Sequence, residues 1–112
     1  SAGNIVVTVN SSCKEFPLKR EDQVIVFRII QEALHNAIKH AEATRIGINL
    51  GWDGQRLLIL VRDNGKGFDA GRTQNQGVGV INMKRRTRLL NGTISWPSDA
   101  AEGTTVSISI PT

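Results

Sequence analysis

The chain has 112 residues, of which 39% are hydrophobic and 21% are charged. This length suits a single domain, residues 1–112, and is too short for two hydrophobic cores of ordinary size. No apolar run approaches the ~20 residues that a transmembrane helix needs. The single cysteine, Cys13, excludes an internal disulfide and a cysteine-rich zinc site.

The net charge of +4 and the pI near 9.8 are compatible with nucleic acid, an anionic membrane or the phosphates of a small ligand. Nucleic acid is disfavoured because no basic stripe with interleaved aromatic residues occurs. The chain begins with Ser1 and Ala2 and carries no signal-peptide pattern. We therefore expect it to be a piece of a longer protein.

The N-terminal half predicts a strand followed by a long helix. Alternating β-branched residues from Asn4 to Val9 indicate a strand, or a hairpin if Ser11–Lys14 pairs back onto it. From Glu21 to Ala41, apolar residues recur at helical spacing. This apolar stripe consists of Phe27, Ile30, Ala33, Leu34, Ala37, Ile38 and Ala41. It predicts an amphipathic helix that packs through the stripe.

The C-terminal half predicts four strands and a second helix. The runs Arg45–Leu50 and Arg56–Val61 flank an Asp-Gly turn and predict an antiparallel hairpin. A glycine-rich loop, a helix and two strands follow, at Asp63–Gly79, Val80–Leu90, Thr93–Trp96 and Thr104–Ile110. This order predicts an α+β fold: a two-layer α/β sandwich with a mixed, mainly antiparallel sheet and both helices on one face.

One face of the first helix is polar. Helical steps of 100° place Arg28, Glu32, Asn36 and Lys39 in one arc. A solvated face is the commoner explanation of such a pattern. Asn36 indicates more, because its amide oxygen could fill one position around an octahedral Mg²⁺ completed by water and phosphate oxygens. Glu32, one turn earlier, could accept a proton.

The glycine-rich loop begins and ends with motifs suited to a ligand. The first motif is Asp63-Asn64-Gly65-Lys66-Gly67-Phe68-Asp69. It puts a carboxylate at the end of a strand, before glycines that let a ligand approach the backbone closely. A tight turn has the same pattern. An EF-hand fails because Gln74 stands where Glu is required. Gly77-Val78-Gly79 precedes the second predicted helix, whose N-terminal amides could receive phosphate oxygens. No Walker P-loop motif occurs.

Four segments together resemble a known family. Gln31-Glu32-Ala33-Leu34-His35-Asn36-Ala37-Ile38-Lys39-His40-Ala41 resembles the N box of GHKL ATPases, which have the Bergerat fold. The segments 63–69, 77–83 and 102–106 resemble the three glycine boxes of the same family, in family order. The joint match extends from about Phe27 to Pro111 and is closest to bacterial sensor histidine kinases of two-component systems.

The resemblance implies that this is the ATP-binding catalytic domain of such a kinase. Asp63 would accept a hydrogen bond from the adenine amine, with Thr104 assisting and Gly67 letting the base pack on the backbone. Asn36 would bind Mg²⁺, and Glu32 would be the general base. The other implied ATP-binding positions are Gly65, Gly77, Gly79, Val80, Lys39 and His40.

The phosphate acceptor implied by the resemblance is a histidine on a dimerisation domain, with relay to a response regulator. The only histidines here, His35 and His40, lie within the N box. We therefore expect the acceptor to be outside this chain and the isolated fragment not to phosphorylate itself. The implied parent is a homodimer and a membrane-bound sensor with this domain on the cytoplasmic side, and we expect no nucleic-acid partner.

Two departures from the family pattern concern the lid. The segment Ala70–Gln76 has only seven residues, which is similar to a short-lid subfamily of nitrate and cell-envelope stress sensors, and Val80 replaces the usual Leu. We expect this polar lid to move without ATP.

Outside the lid, Arg86 matches a position that is often basic in the family. Two alternatives stay open: an anti-sigma-factor-type serine kinase and a catalytically degenerate GHKL binding module.

Overall fold

A computed structural model describes residues 3–66, 77–97 and 103–112. The elements are β1 (Val6–Ser11), α1 (Arg20–Lys39), β2 (Arg45–Trp52), β3 (Arg56–Asp63), α2 (Gly77–Leu89), β4 (Thr93–Ser95) and β5 (Thr105–Pro111). Their order is the predicted one. Neither helix in these three ranges is long and apolar enough to cross a membrane.

The five strands form one sheet in the order β1-β2-β3-β5-β4. β1 is parallel to β2, and every other neighbouring pair is antiparallel. The predicted mixed, mainly antiparallel sheet with two helices is confirmed. The N-terminal hairpin alternative is wrong, because Ser11 pairs with Leu50 and the Ser12 amide donates to the Leu50 carbonyl. The strand that pairs with β1 is β2, which follows the whole of α1 in the chain, so the local sequence around β1 could not indicate it.

The predicted β2–β3 hairpin is confirmed, and its turn is closed by one carboxylate. Oδ1 of Asp53 accepts hydrogen bonds from the amides of Arg56, at 2.7 Å, and Gln55, at 2.8 Å. These bonds, the one from Arg56 first, lower the pKa of the Asp53 carboxyl. Gly54, the next residue of the turn, has φ +93°, and a Cβ built on it would contact no other atom.

The hydrophobic core lies between one face of the sheet and the helices. Alternate residues of the three central strands supply the sheet side: Ile46, Ile48, Leu57, Ile59, Val61, Val106, Ile108 and Ile110. The helix α1 supplies Val26, Ile29, Ala33 and Ala37. Because all eight strand residues share one pleat face, the two-layer arrangement follows.

The predicted apolar stripe of α1 is partly wrong. Phe27 is 63% exposed and Ile38 is 39% exposed, whereas Val26 and Ile29 are fully buried. The helix carries apolar residues around more than half of its circumference, so sequence spacing could not select the face that meets the sheet. The helix also ends at Lys39, before the predicted Ala41.

The second helix begins three residues earlier than predicted. Gly77, Val78 and Gly79 form its first turn and do not precede it. Two glycines among three residues argue against a helix by propensity, but packing of α2 against α1 outweighs that cost of about 1 kcal/mol per glycine. Val80 and Met83 are buried in the core.

The start of β5 lies directly against the end of β3. Gly103 has φ +99°, and a Cβ built on it would overlap the carbonyl oxygen of Asp63. The Asp63 amide donates to the Thr104 carbonyl at 2.9 Å. A glycine at position 103 is therefore required by both conformation and space.

Gly103→Ala should lower the free energy of unfolding by about 3 kcal/mol, the sum of left-handed strain and backbone displacement. Gly54→Ala is the matched control, since Gly54 has a similar φ with no atom in the way. It should cost only about 1 kcal/mol. Urea denaturation followed by circular dichroism measures both, and equal losses would contradict the role given to the Asp63 contact.

Candidate functional site

Asp63 ends β3 and is held in place by the backbone around it. Its side chain is buried, with 8% of the residue exposed. Oδ1 accepts hydrogen bonds from the amide of Gly65, at 2.8 Å, and from that of Thr104, at 3.3 Å. Buried carboxylates need such donors, because desolvation of the charge is costly. The carboxylate is therefore oriented before any ligand arrives.

Asn64 fixes the chain that leaves β3. Its side-chain Oδ1 accepts the amides of Thr44 and Arg45, both at 2.9 Å, and its Nδ2 donates to the Thr44 hydroxyl at 3.0 Å. Sequence reasoning gave Asn64 no role, although Asn after a strand and before Gly often makes such local bonds. The site therefore has a supporting residue next to Asp63.

The segment just after α1 contacts the same turn. The Lys66 amide donates to the Ala41 carbonyl at 2.8 Å, and a Cβ on Gly65 would overlap the Ala41 backbone. Lys66 also pairs with Glu42 at 2.7 Å, which lowers the pKa of the Glu42 carboxyl. Both of these side chains are exposed, so the ion pair adds little stability. The backbone contacts join α1 to the end of β3.

Glu32 and Asn36 project from α1 towards the first turn of α2. A Cβ built on Gly79 would lie 2.5 Å from Oε2 of Glu32 and 3.6 Å from Oδ1 of Asn36. The glycine thus leaves room for a carboxylate and an amide oxygen beside the N-terminus of α2. Such a terminus presents free backbone amides and a partial positive charge.

The other predicted positions are more scattered. Lys39 and His40 are exposed at the C-terminal end of α1, where the His40 ring packs edge-on against His35. Gly77 is exposed at the start of α2, with φ +72°. The Val80 side chain is buried in the core, so only its backbone could face a ligand. Gly67 and the predicted lid Ala70–Gln76 lie outside the described residues.

A small cavity joins Asp63 to α1. It is lined by Ala33, Asn36, Ala37, Ala41, Val61, Asp63, Trp96, Thr104 and Val106. Three predicted site residues, Asn36, Asp63 and Thr104, thus meet in one place. Sequence reasoning missed Trp96 as a site residue and placed it only at the end of a predicted strand; it follows the short edge strand β4.

One residue that lines this cavity carries a buried polar atom without a partner among the described residues. The hydroxyl of Thr104 makes no hydrogen bond among the described residues, although the residue is only 5% exposed. An unpaired buried hydroxyl is destabilising, so it often marks the place of a ligand or water. The polar groups around the cavity are therefore available to hydrogen-bond a polar ligand group or a water molecule.

Comparison with known proteins identifies the family and the fold. Residues 21–112 match the family described as histidine kinase-, DNA gyrase B- and HSP90-like ATPases. The chain is 35% and 37% identical to the histidine-protein kinase/phosphatase DegS of Brevibacillus brevis and Bacillus subtilis, over 80% of its length. It superposes on the ATP-binding domain of PrrB from Mycobacterium tuberculosis with a TM-score of 0.75, 20% identity and coverage of 98% of this chain and 82% of that one.

The chain belongs to the histidine kinase-, DNA gyrase B- and HSP90-like ATPase family. The predicted GHKL family and fold are confirmed, and in sequence and fold this is an ATPase domain of the histidine kinase type. The family binds ATP, generally with Mg²⁺. The chain spans 23% and 24% of the length of the two DegS relatives.

Thr104→Val should raise the free energy of unfolding of the ligand-free domain by about 1 kcal/mol, because it replaces an unpaired buried hydroxyl with a methyl group. Thr104→Ser keeps the hydroxyl and is the control, expected to be no more stable than the parent. Urea denaturation without nucleotide measures the difference. A less stable Val variant would show that the hydroxyl already has a partner.

Proposed function

We propose that this chain is the ATP-binding catalytic domain of a sensor histidine kinase. It transfers the γ-phosphoryl group of ATP to a histidine on a dimerisation domain outside this chain, for relay to a response regulator. The observation that carries the proposal is the meeting of Asp63, Thr104 and Asn36 around one cavity with an unpaired buried hydroxyl. The similarity to DegS kinases supports histidine as the acceptor.

The adenine end of ATP is assigned to Asp63 and Thr104. Both described hydrogen bonds to the Asp63 carboxylate end on Oδ1, so Oδ2 is assigned to the exocyclic amine of adenine. The Thr104 hydroxyl supplies a second polar contact to the base. Gly67 completes this assignment as the position that lets the base lie on the backbone. A charged acceptor gives the site its selectivity for a base with an amino group.

The phosphate end is assigned to the space between α1 and the first turn of α2. Mg²⁺, when bound, neutralises phosphate charge, and the Asn36 amide oxygen would hold it. The backbone amides of Gly77, Gly79 and Val80, in the first turn of α2, would donate to the anionic oxygens there. Further assigned positions are Gly65, on the turn after β3, and Lys39 and His40, at the end of α1.

Glu32 is assigned as the general base. Its carboxylate lies beside Gly79 and Asn36, so it would be close to a phosphate bound at the start of α2. A carboxylate there can accept the ring proton of an incoming imidazole and so direct the other ring nitrogen at phosphorus. The parent is proposed to be a homodimeric, membrane-bound sensor with this domain on its cytoplasmic side.

Asp63→Asn should weaken ADP binding about ten- to hundredfold, because it exchanges a charged acceptor for a neutral one. The Asn oxygen can still accept the Gly65 and Thr104 amides, so the fold should persist. Asp53→Asn is a matched control: that carboxylate also accepts two backbone amides, at the far end of the sheet. Isothermal titration calorimetry measures both, and unchanged affinity of the Asp63 variant would refute the adenine assignment.

The isolated domain should bind Mg-ATP without forming phosphohistidine. His35 lies on the same helix as Glu32 and His40 caps that helix, so we expect neither ring to meet the phosphate across from the Glu32 carboxylate. Addition of the histidine-bearing dimerisation domain should restore transfer, and Glu32→Gln should slow it by at least about a hundredfold. Radiolabelled ATP and acid lability of the product give the readout, and labelled His35 or His40 would contradict the expectation.

A further inference from the structure

Trp96 is the one aromatic side chain among the described residues that line the cavity. It directly follows β4, the short edge strand that pairs only with β5. Its side chain is half-buried and packs against the core. Aromatic rings are common partners of nucleobases, because stacking on a flat ring is favourable for every base.

The cavity is much smaller than a nucleobase. Its volume is about 10 Å³, which is room for about one water molecule. A base can enter only if some lining side chain moves. The contacts of each lining side chain indicate which one can move.

Most of the lining residues have few alternative side-chain positions. Ala33, Ala37 and Ala41 have no side-chain rotamers, and Asp63 is fixed by its two amide donors. The two valines lie on central strands paired on both sides. Trp96 is the largest lining side chain and lies at the end of an edge strand, so its displacement creates the most space.

A cation on α2 faces the ring in the ligand-free domain. Nζ of Lys84 lies 5.8 Å from the centroid of the Trp96 ring, within the range of a cation–π interaction. Such contacts stabilise a partly exposed ring by a modest amount only. The ring thus has a preferred resting position that a ligand can change.

We propose that Trp96 forms the aromatic wall of the base pocket: its ring yields the space that a base needs and then packs against that base. This inference rests on the proposed function, because it concerns the same nucleotide site. It adds a residue that contacts every aromatic base equally, whereas Asp63 distinguishes bases by their amino group. Affinity and selectivity are thereby divided between two residues.

The composition of the chain makes Trp96 observable by fluorescence. The protein contains two tryptophans and no tyrosine. Asp63, which lines the cavity, pairs with Ile46 near the start of β2. Trp52 is the last residue of β2, where its indole donates to the Thr112 hydroxyl at 3.0 Å. Trp52 is therefore distant from the cavity. The Trp52→Phe variant therefore reports on Trp96 alone.

Titration of the Trp52→Phe domain with Mg-ADP and Mg-IDP should give a saturable change in emission, with the dissociation constant found by calorimetry. Magnesium tripolyphosphate, which has no base, should give none. The Trp96→Phe variant, which keeps only Trp52, should be silent with every ligand. Calorimetric binding of ADP without any change in Trp96 emission would overturn the inference.

Trp96→Leu should weaken ADP and IDP about tenfold each, the loss expected for one stacking contact, and leave their ratio unchanged. The Trp96→Phe variant should bind ADP and IDP nearly as tightly as the parent does. The Asp63→Asn variant should instead reduce the preference for ADP over IDP. Equal or tighter binding by the Leu variant would mean that Trp96 only obstructs the pocket, and would also overturn the inference. If the parent domain binds no nucleotide at all, the proposed function fails instead.

Discussion

The contact between the end of β3 and the start of β5 controls the rest of the site. The Asp63 amide and side chain both bond to the Thr104 backbone, and Gly103 lies against the Asp63 carbonyl. A buried carboxylate is tolerated because backbone donors surround it. This arrangement fixes the carboxylate at the end of β3, the central strand of the sheet.

The helix α1 then determines where the phosphate end can be. It packs on the sheet through Ala33 and Ala37, and its end is bonded to the turn after Asp63. Glu32 and Asn36 are one or two turns from that end and therefore face α2 at a set distance from Asp63. The small residues are needed because larger ones would fill the cavity between helix and strand. One helix thus serves as core element, cavity wall and source of the catalytic groups.

Glycine is required at different positions of this domain for different physical reasons. Gly103 is required by a positive φ and by contact with Asp63, whereas Gly79 leaves room for the Glu32 carboxylate. Sequence reasoning attributed Gly79 to phosphate access at a helix start, and the observed contact adds a second reason. A single glycine can therefore meet both a structural and a chemical requirement, and only the tertiary contacts distinguish the two.

The sequence alone determined the element order, the β2–β3 hairpin, the family and the candidates Glu32, Asn36, Asp63 and Thr104, because periodicity, turn residues and box motifs are local signals. Tertiary structure decided what depends on distant contacts. It paired β1 with β2, turned Val26 and Ile29 inward in place of Phe27, and extended α2 to Gly77 against glycine propensity. It also brought Trp96 to the cavity, since residues far apart in sequence become neighbours only when the sheet forms.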